Sequence, residues 1–311
     1  MKALVTGAAG FIASHLTDEL VRRGWEVIAV DSMAGGQRAN VNPMVEFVEA
    51  DVRQRGRFAE LLKDVDLVLH HGGLATVPGC SDDPLLAFDV NVQGTICLAE
   101  SVRTASPGAT FVFASSAAVY GPHKEPTLCT EEDVPAPSSV YGASKLAAEA
   151  GLLALRASFG LDVRIVRYAN VYGPRQPRYI MYDMYHKIRK SNGRVAVLGS
   201  GKQLRDFIFV DDAVAVTLAV ASQSANDERK PIYNVGTGVS TSVLDIAAHV
   251  ARAMGRSDVR FETTQSSWIG DIDYLLLDPN RTRECISAAV PVEEGIRRFI
   301  AWIGTQPESS P

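Results

Sequence analysis

Eight residues near the start of the chain, Thr6-Gly7-Ala8-Ala9-Gly10-Phe11-Ile12-Ala13, constrain the fold more than any other stretch. They follow an apolar run, Lys2-Ala3-Leu4-Val5-Thr6, and open a helix-like pattern over residues 11–23. A glycine at a strand end allows a tight turn, and a second lets backbone approach a pyrophosphate. The new helix then offers its N-terminus to the negative charge. Gly7 and Gly10 fill those two places, and Ala13 is small enough for close helix–strand packing. Gly7, Gly10, Phe11 and Ile12 are therefore candidate dinucleotide contacts. Asp31 ends the next apolar run, close to the ~20-residue spacing at which an acid meets a ribose. A carboxylate there accepts hydrogen bonds from both ribose hydroxyls and repels a 2′-phosphate, which points to NAD over NADP. Asp51 and Val52 follow the third strand signal and reach toward the adenine edge. His70-His71-Gly72-Gly73 closes the next strand signal, where Gly72 leaves room for the cofactor. Adjacent histidines on a strand face opposite ways, so a metal pair is not expected.

Strand signals at 2–6, 25–30, 45–49, 65–70, 109–114 and 162–168 alternate with helix signals at 11–23, 54–63, 84–105 and 141–159. That alternation predicts an α/β fold, a doubly wound parallel Rossmann sheet. The second half is less regular. A helix near 178–191, a strand and helix over 206–222, and helices at 241–254 and 291–303 suggest a smaller C-terminal substrate-binding lobe. The expected division is 1–172 with 206–236 for the cofactor domain, 173–205 with 237–304 for the lobe, and 305–311 as a flexible tail. With 46% hydrophobic and 22% charged residues there is enough apolar material for a core, and the net charge of −5 argues against a nucleic-acid partner. The four cysteines form no CxxC pair, no metal site is expected, and no signal peptide or membrane span is visible, which suggests a cytoplasmic protein. Apolar residues on more than one face of the 84–105 and 141–159 helices suggest a homodimer.

Two further segments carry chemistry. Phe113-Ala114-Ser115-Ser116-Ala117-Ala118-Val119-Tyr120-Gly121 ends a strand, and Tyr141-Gly142-Ala143-Ser144-Lys145 opens a helix. Tyr141 and Lys145, four apart, share a helix face. A free tyrosine, with a pKa near ~10, is a poor base at neutral pH. A nearby ammonium and a positively charged NAD would stabilise its phenolate and lower that value. Tyr141 could then take a hydroxyl proton while the carbon gives up hydride, with Ser116 holding the same oxygen.

The order TGAAGFIAS, SSAAVYG, YGASK, RYANVYGPRQ, RDFIFVDDAV and YNVGTG resembles the extended short-chain dehydrogenase/reductase superfamily. Within it the chain is most similar to the NAD-dependent epimerase/dehydratase family of the UDP-glucose 4-epimerase type, from residue 1 to about 300. The resemblance implies catalytic roles for Ser116, Tyr141 and Lys145. It implies NAD contacts at Gly7, Gly10, Phe11, Ile12, Asp31, Asp51, Val52, Gly72, Tyr141, Lys145 and Tyr168. It also implies nucleotide-sugar contacts at Thr76, Ser116, Tyr141, Asn170, Val197, Arg205 and Asp271. For Arg205 a simple ion pair with Asp206 is the alternative. Three departures stand out: Trp268-Ile269-Gly270-Asp271 where the family often has Arg-Pro-Gly-Asp, a short loop after GPRQ, and HHGG for the more usual His-Leu-Ala-Ala. The implied activity is C4 oxidation and re-reduction of a nucleotide-diphosphate sugar, with 4-epimerisation leading and a UDP-sugar favoured. A 4,6- or 5,6-dehydratase is the alternative. The usual 4,6-dehydratases place Asp-Glu where Ala117-Ala118 stand, so Cys129, Glu125 or His123 would have to serve. A non-catalytic NAD-binding sensor is the reading from another class.

Overall fold

The computed structural model describes residues 1–223, 231–264 and 272–306. Seven strands make one wholly parallel sheet, in the spatial order Glu46–Glu49, Glu26–Asp31, Lys2–Thr6, Leu67–His70, Thr110–Ser116, Val163–Tyr168, Ile232–Val235. The chain builds outward in one direction from Lys2–Thr6, then returns to build in the other. The strand order thus reverses between Lys2–Thr6 and Leu67–His70, and a crevice opens beyond the carboxyl ends of those strands.

The central strands are apolar on both faces because both are covered. Ala3 and Val5 join one core with Leu16 and Leu20 of the helix Phe11–Arg22. Leu4 faces the other way, into a second core with Phe58, Leu98 and Leu152. Period-two alternation thus feeds two hydrophobic layers from one strand. Helices Phe11–Arg22 and Val210–Ala221 pack together on the first face, and Arg55–Leu61, Thr95–Ala105 and Val140–Phe159 on the second.

A second sheet is mixed. Its strands are Ser240–Ser242, Leu204–Phe209, Tyr274–Leu277 and Leu128–Cys129, with Asn170–Tyr172 also pairing to Leu204–Phe209. Arg194–Val197 and Arg260–Thr263 form a separate parallel pair. Two differences from the sequence expectation matter for the site. The long helix expected over 84–105 is broken into Pro84–Phe88, a π-helical turn Asp89–Gly94, and Thr95–Ala105. A short helix, Val77–Asp82, precedes it and is capped by Thr76, whose hydroxyl accepts from Gly79 N.

Candidate active site

Backbone geometry makes the cofactor cradle. Gly7 sits at φ +70°, in the left-handed region that glycine alone adopts cheaply. A Cβ on Gly7 would come within 2.8 Å of Gly72 N and the His71 carbonyl. One on Gly10 would lie 2.9 Å from Gly7 O. Gly72 is less confined, since its Cβ would meet Thr6 Oγ1 at 3.1 Å. Gly10 has no side chain with which to cap the helix Phe11–Arg22. A helix begun this way offers its first N–H groups to an anion. Asp31 is buried at its strand end, where Oδ2 accepts from Ala9 N at 3.0 Å and Oδ1 from Met33 N at 2.8 Å. A carboxylate has about four acceptor positions, so two remain for a ribose diol. These residues fit NAD: the cradle is one that side chains would fill, and its acid is oriented before any ligand arrives. Asp51 accepts from the Arg53 guanidinium at 2.9 and 2.6 Å, and that cation holds its carboxyl below the usual range. Val52 is buried in the core against Gly94.

At the same crevice the structure brings together Ser116, Tyr141 and Lys145. Ser116 is the last residue of its strand, and its Oγ accepts from Ala118 N at 3.2 Å. Tyr141 lies in the first turn of Val140–Phe159, which Ser139 caps by accepting from Gly142 N. Gly142 permits this approach, since a Cβ there would stand 2.5 Å from Ala118 O. Ser116 hydrogen-bonds the Tyr141 phenol and favours its ionised form, but burial outweighs it and, with Tyr179 nearby, pushes the phenol pKa up. The lowering expected from Lys145 is thus not found in the protein alone. Lys145 itself is 5% exposed, donates from Nζ to Ala114 O at 2.9 Å, and is lowered by burial to about 8. Its Nζ also lies 4.8 Å from the centre of the Phe113 ring.

Residues outside the sequence expectation hold this set in place. Asn91, on the π-helical turn, accepts from Leu74 N at 2.8 Å and donates to Leu74 O and to Ser144 Oγ. The turn of helix carrying Tyr141 is thereby tied to the loop after Gly73. His70 lies behind it, fully buried, with Nδ1 2.7 Å from Thr6 Oγ1 and Nε2 2.9 Å from Thr95 Oγ1. Thr95 donates to Asn91 O and Thr6 accepts from Gly72 N, so the proton sits on Nε2 and every partner is satisfied. His71 faces the opposite way, as alternation requires, and bonds the Tyr168 hydroxyl at 3.0 Å. Burial, with Lys145 behind it, holds His71 down at about 3. Below Lys145, Glu149 is locked to Arg167 at 2.6 Å, both nearly inaccessible, and accepts from Ser115 as well. A sequence signal for Asn91 existed, the Asn-Val-Gln-Gly-Thr run inside an apolar helix. None marked the π turn.

The substrate-side residues are more dispersed. Tyr168 is buried with its hydroxyl donated to Thr217 at 2.6 Å. Asn170 and Arg205 lie close in register, Asn170 pairing with Phe207 and donating to Asp206 O. Arg205 Nη1 donates to the carbonyls of Leu204 and Asp273. The Asp206 carboxylate is taken up by Thr237 and by Gly238 N, which binds it to a turn. Val197 is buried at the end of its strand. Asp271, with Trp268 to Gly270, lies outside the described residues. Cys129 and His123 hydrogen-bond each other at 3.2 Å, and burial raises the Cys129 thiol to about 11. Glu125 is exposed.

A glycine-built dinucleotide cradle beside a Ser–Tyr–Lys set defines an oxidoreductase-type site of the short-chain dehydrogenase class. The sequence profile of the NAD dependent epimerase/dehydratase family matches residues 3–236, and the chain belongs to that family. A UDP-glucose 4-epimerase of Mycolicibacterium smegmatis is 33% identical over 317 residues, covering 97% of this chain and 98% of that one. The Thermus thermophilus UDP-glucose 4-epimerase, solved in complex with NAD, superposes with a TM-score of 0.89 at 31% identity, covering 98% of this chain and 99% of the other. The dTDP-glucose 4,6-dehydratase of Streptomyces venezuelae gives 0.86 at 29% identity, covering 98% and 97%. Among the described residues no helix is long and apolar enough to cross a membrane, and no three His, Cys, Asp or Glu cluster as metal ligands.

Proposed function

We propose that the chain is a cytoplasmic nucleotide-sugar 4-epimerase, acting on a UDP-sugar. One observation carries this reading: Ser116 hydrogen-bonds the Tyr141 phenol and Lys145 Nζ donates to Ala114 O on the same strand, while Ala117 and Ala118 supply no carboxylate for dehydration. The Cys129 thiol is fully buried and bonded to His123, which leaves it ill suited to replace one.

Gly7, Gly10, Phe11, Ile12, Asp31, Asp51, Val52, Gly72, Tyr168 and Lys145 would hold NAD, which when bound accepts hydride from C4 of the sugar and returns it to either face. Tyr141 takes the C4 hydroxyl proton and later gives it back. Ser116 holds the same oxygen in both states. Burial raises the phenol, and positive charge beside it would favour the phenolate that Tyr141 needs to act as a base. Thr76 and Asn170 would meet the sugar and its diphosphate, Arg205 would grip the diphosphate, and Val197 would line the base. Asp271 belongs to the same expected set. The division into a cofactor domain, 1–172 with 206–236, and a lobe, 173–205 with 237–304, is part of this reading. So is a homodimer: the helical run Pro84–Ala105 leaves Leu85 and Phe88 exposed, and Val140–Phe159 ends on an exposed Phe159.

The test is NMR of purified protein with UDP-sugars in deuterated water. Inversion at C4 without deuterium uptake is expected. Deuterium at C5, or an alkene or 4-keto signal, would make the chain a dehydratase. No change with any sugar would leave a binding protein.

A further inference from the structure

We propose that Tyr179 walls the sugar pocket and sets how bulky a sugar is admitted, an inference that rests on the nucleotide-sugar reading above. Tyr179 lies just past the GPRQ loop and immediately before the helix Ile180–Lys190. The base of that loop is pinned: His15 Nε2 lies 3.0 Å from Pro174 O, Arg175 pairs with Asp18 at 2.7 Å, and Gln176 donates to Val171 O. Beyond it, residues 177–179 are exposed. From this tip the Tyr179 hydroxyl reaches across the cleft and donates to Ala75 O at 3.0 Å, a contact spanning 104 residues of sequence. Ala75 adjoins Thr76 and belongs to the loop that Asn91 ties to the catalytic helix. The phenol also lies within electrostatic reach of the Tyr141 phenol and of the Cys80 thiol. The bridge thus closes over the catalytic hydroxyl.

The backbone shows that this placement is imposed. Tyr179 has φ 74° and ψ 179°, a region populated almost solely by glycine and strained for other residues. At 49% exposed, Tyr179 lies outside the core. Its ring is a wall between the helix Ile180–Lys190 and the Ala75–Thr76 loop. A larger sugar meets the ring, whereas a smaller one fits beneath it. A site of this kind discriminates by about 10- to 200-fold per steric increment.

The test compares wild type with Tyr179→Ala, Tyr179→Phe and Tyr179→Gly, each as isolated holoprotein. UDP-glucose and UDP-N-acetylglucosamine are the probes, with epimerisation followed by NMR and binding by calorimetry. In Tyr179→Ala the kcat/KM ratio of the N-acetyl to the plain hexose should rise at least about tenfold. Tyr179→Gly should match it while melting no lower than wild type, because the strain is relieved. Tyr179→Phe keeps the ring and should leave the ratio within about twofold. Affinity for UDP alone should be unchanged in all three. A ratio that stays within twofold in both the alanine and glycine variants overturns the inference. If wild type turns over neither sugar, the 4-epimerase reading fails instead, and the calorimetric affinity ratio for the two sugars decides the role of Tyr179 by the same thresholds.

Discussion

The two halves of the molecule build their sites from different materials. In the cofactor half the recognition surface is mostly backbone: Gly7 at positive φ, Gly10 packed too tightly for a Cβ, and a helix N-terminus set by the strand before it. Its expected ribose ligand, Asp31, is oriented by bonds from Ala9 N and Met33 N. In the substrate half the strands are two to six residues long, and the candidate side chains come from distant segments joined by register. Arg205, for example, is placed by pairing with Thr241 on one side and Leu275 on the other. A site made of backbone tolerates little local change. One assembled from separate side chains loses affinity in steps. That separation is how a family can keep one cofactor and vary its sugar.

The sharpest challenge to this contrast lies where the halves meet. Tyr141→Phe removes the proposed proton carrier, and turnover should fall about 10³-fold with folding intact. If steady-state NMR assays show less than a tenfold loss, the proton is carried elsewhere. Next in size is Gly7→Ala. The added Cβ, 2.8 Å from Gly72 N and on a positive-φ residue, should lower NAD affinity by about 100-fold or more and lower the melting temperature. Fluorescence titration with NAD reads the first effect and calorimetry the second. A variant that binds NAD normally would show that the cradle is looser than its geometry.

Lys145 tests the electrostatics of the junction. Its folded pKa, about 8, lies below the ordinary lysine value near ~10.4, so the unfolded chain binds more protons between those limits. The contribution of this site to stability therefore rises with pH through that window. At pH 7 the buried ammonium costs about 3 kcal/mol, offset in part by its bond to Ala114 O. Lys145→Met should thus be more stable than wild type by about 2 kcal/mol at pH 7, though inactive, and that advantage should shrink toward pH 10. Urea unfolding at pH 7, 9 and 10 measures it, and a pH-independent difference would contradict the burial of the charge. The smallest effect belongs to the lobe. Arg205→Ala should weaken UDP-sugar binding about 10- to 50-fold and leave NAD binding untouched. Loss of NAD affinity in this variant would break the division between the halves.

Much of the fold was legible from the residues because its signals are short-ranged. The glycine turn, the apolar runs and the Tyr141–Lys145 spacing each span only a few positions, and the parallel sheet follows from their alternation. The long helix over 84–105 was read as continuous because its apolar pattern is continuous; the π turn that puts Asn91 beside Ser144 leaves no mark in periodicity. Of the second sheet only the strand at the start of 206–222 is legible; Leu128–Cys129, Asn170–Tyr172 and Ser240–Ser242, at two or three residues, carry no usable alternation. Tyr179 looked like one more polar residue in a Pro/Arg-rich stretch, because a positive φ on tyrosine is imposed from outside the segment.

By itself the sequence determined the cofactor class and the sheet, because those depend on contacts between near neighbours and on the chemistry of single side chains. Only the tertiary structure decided the burial of Tyr141, the partners of His70 and His71, and the bond from Tyr179 to Ala75 O. Those depend on desolvation and on atoms up to 104 residues apart, and burial is a property of the whole packed molecule.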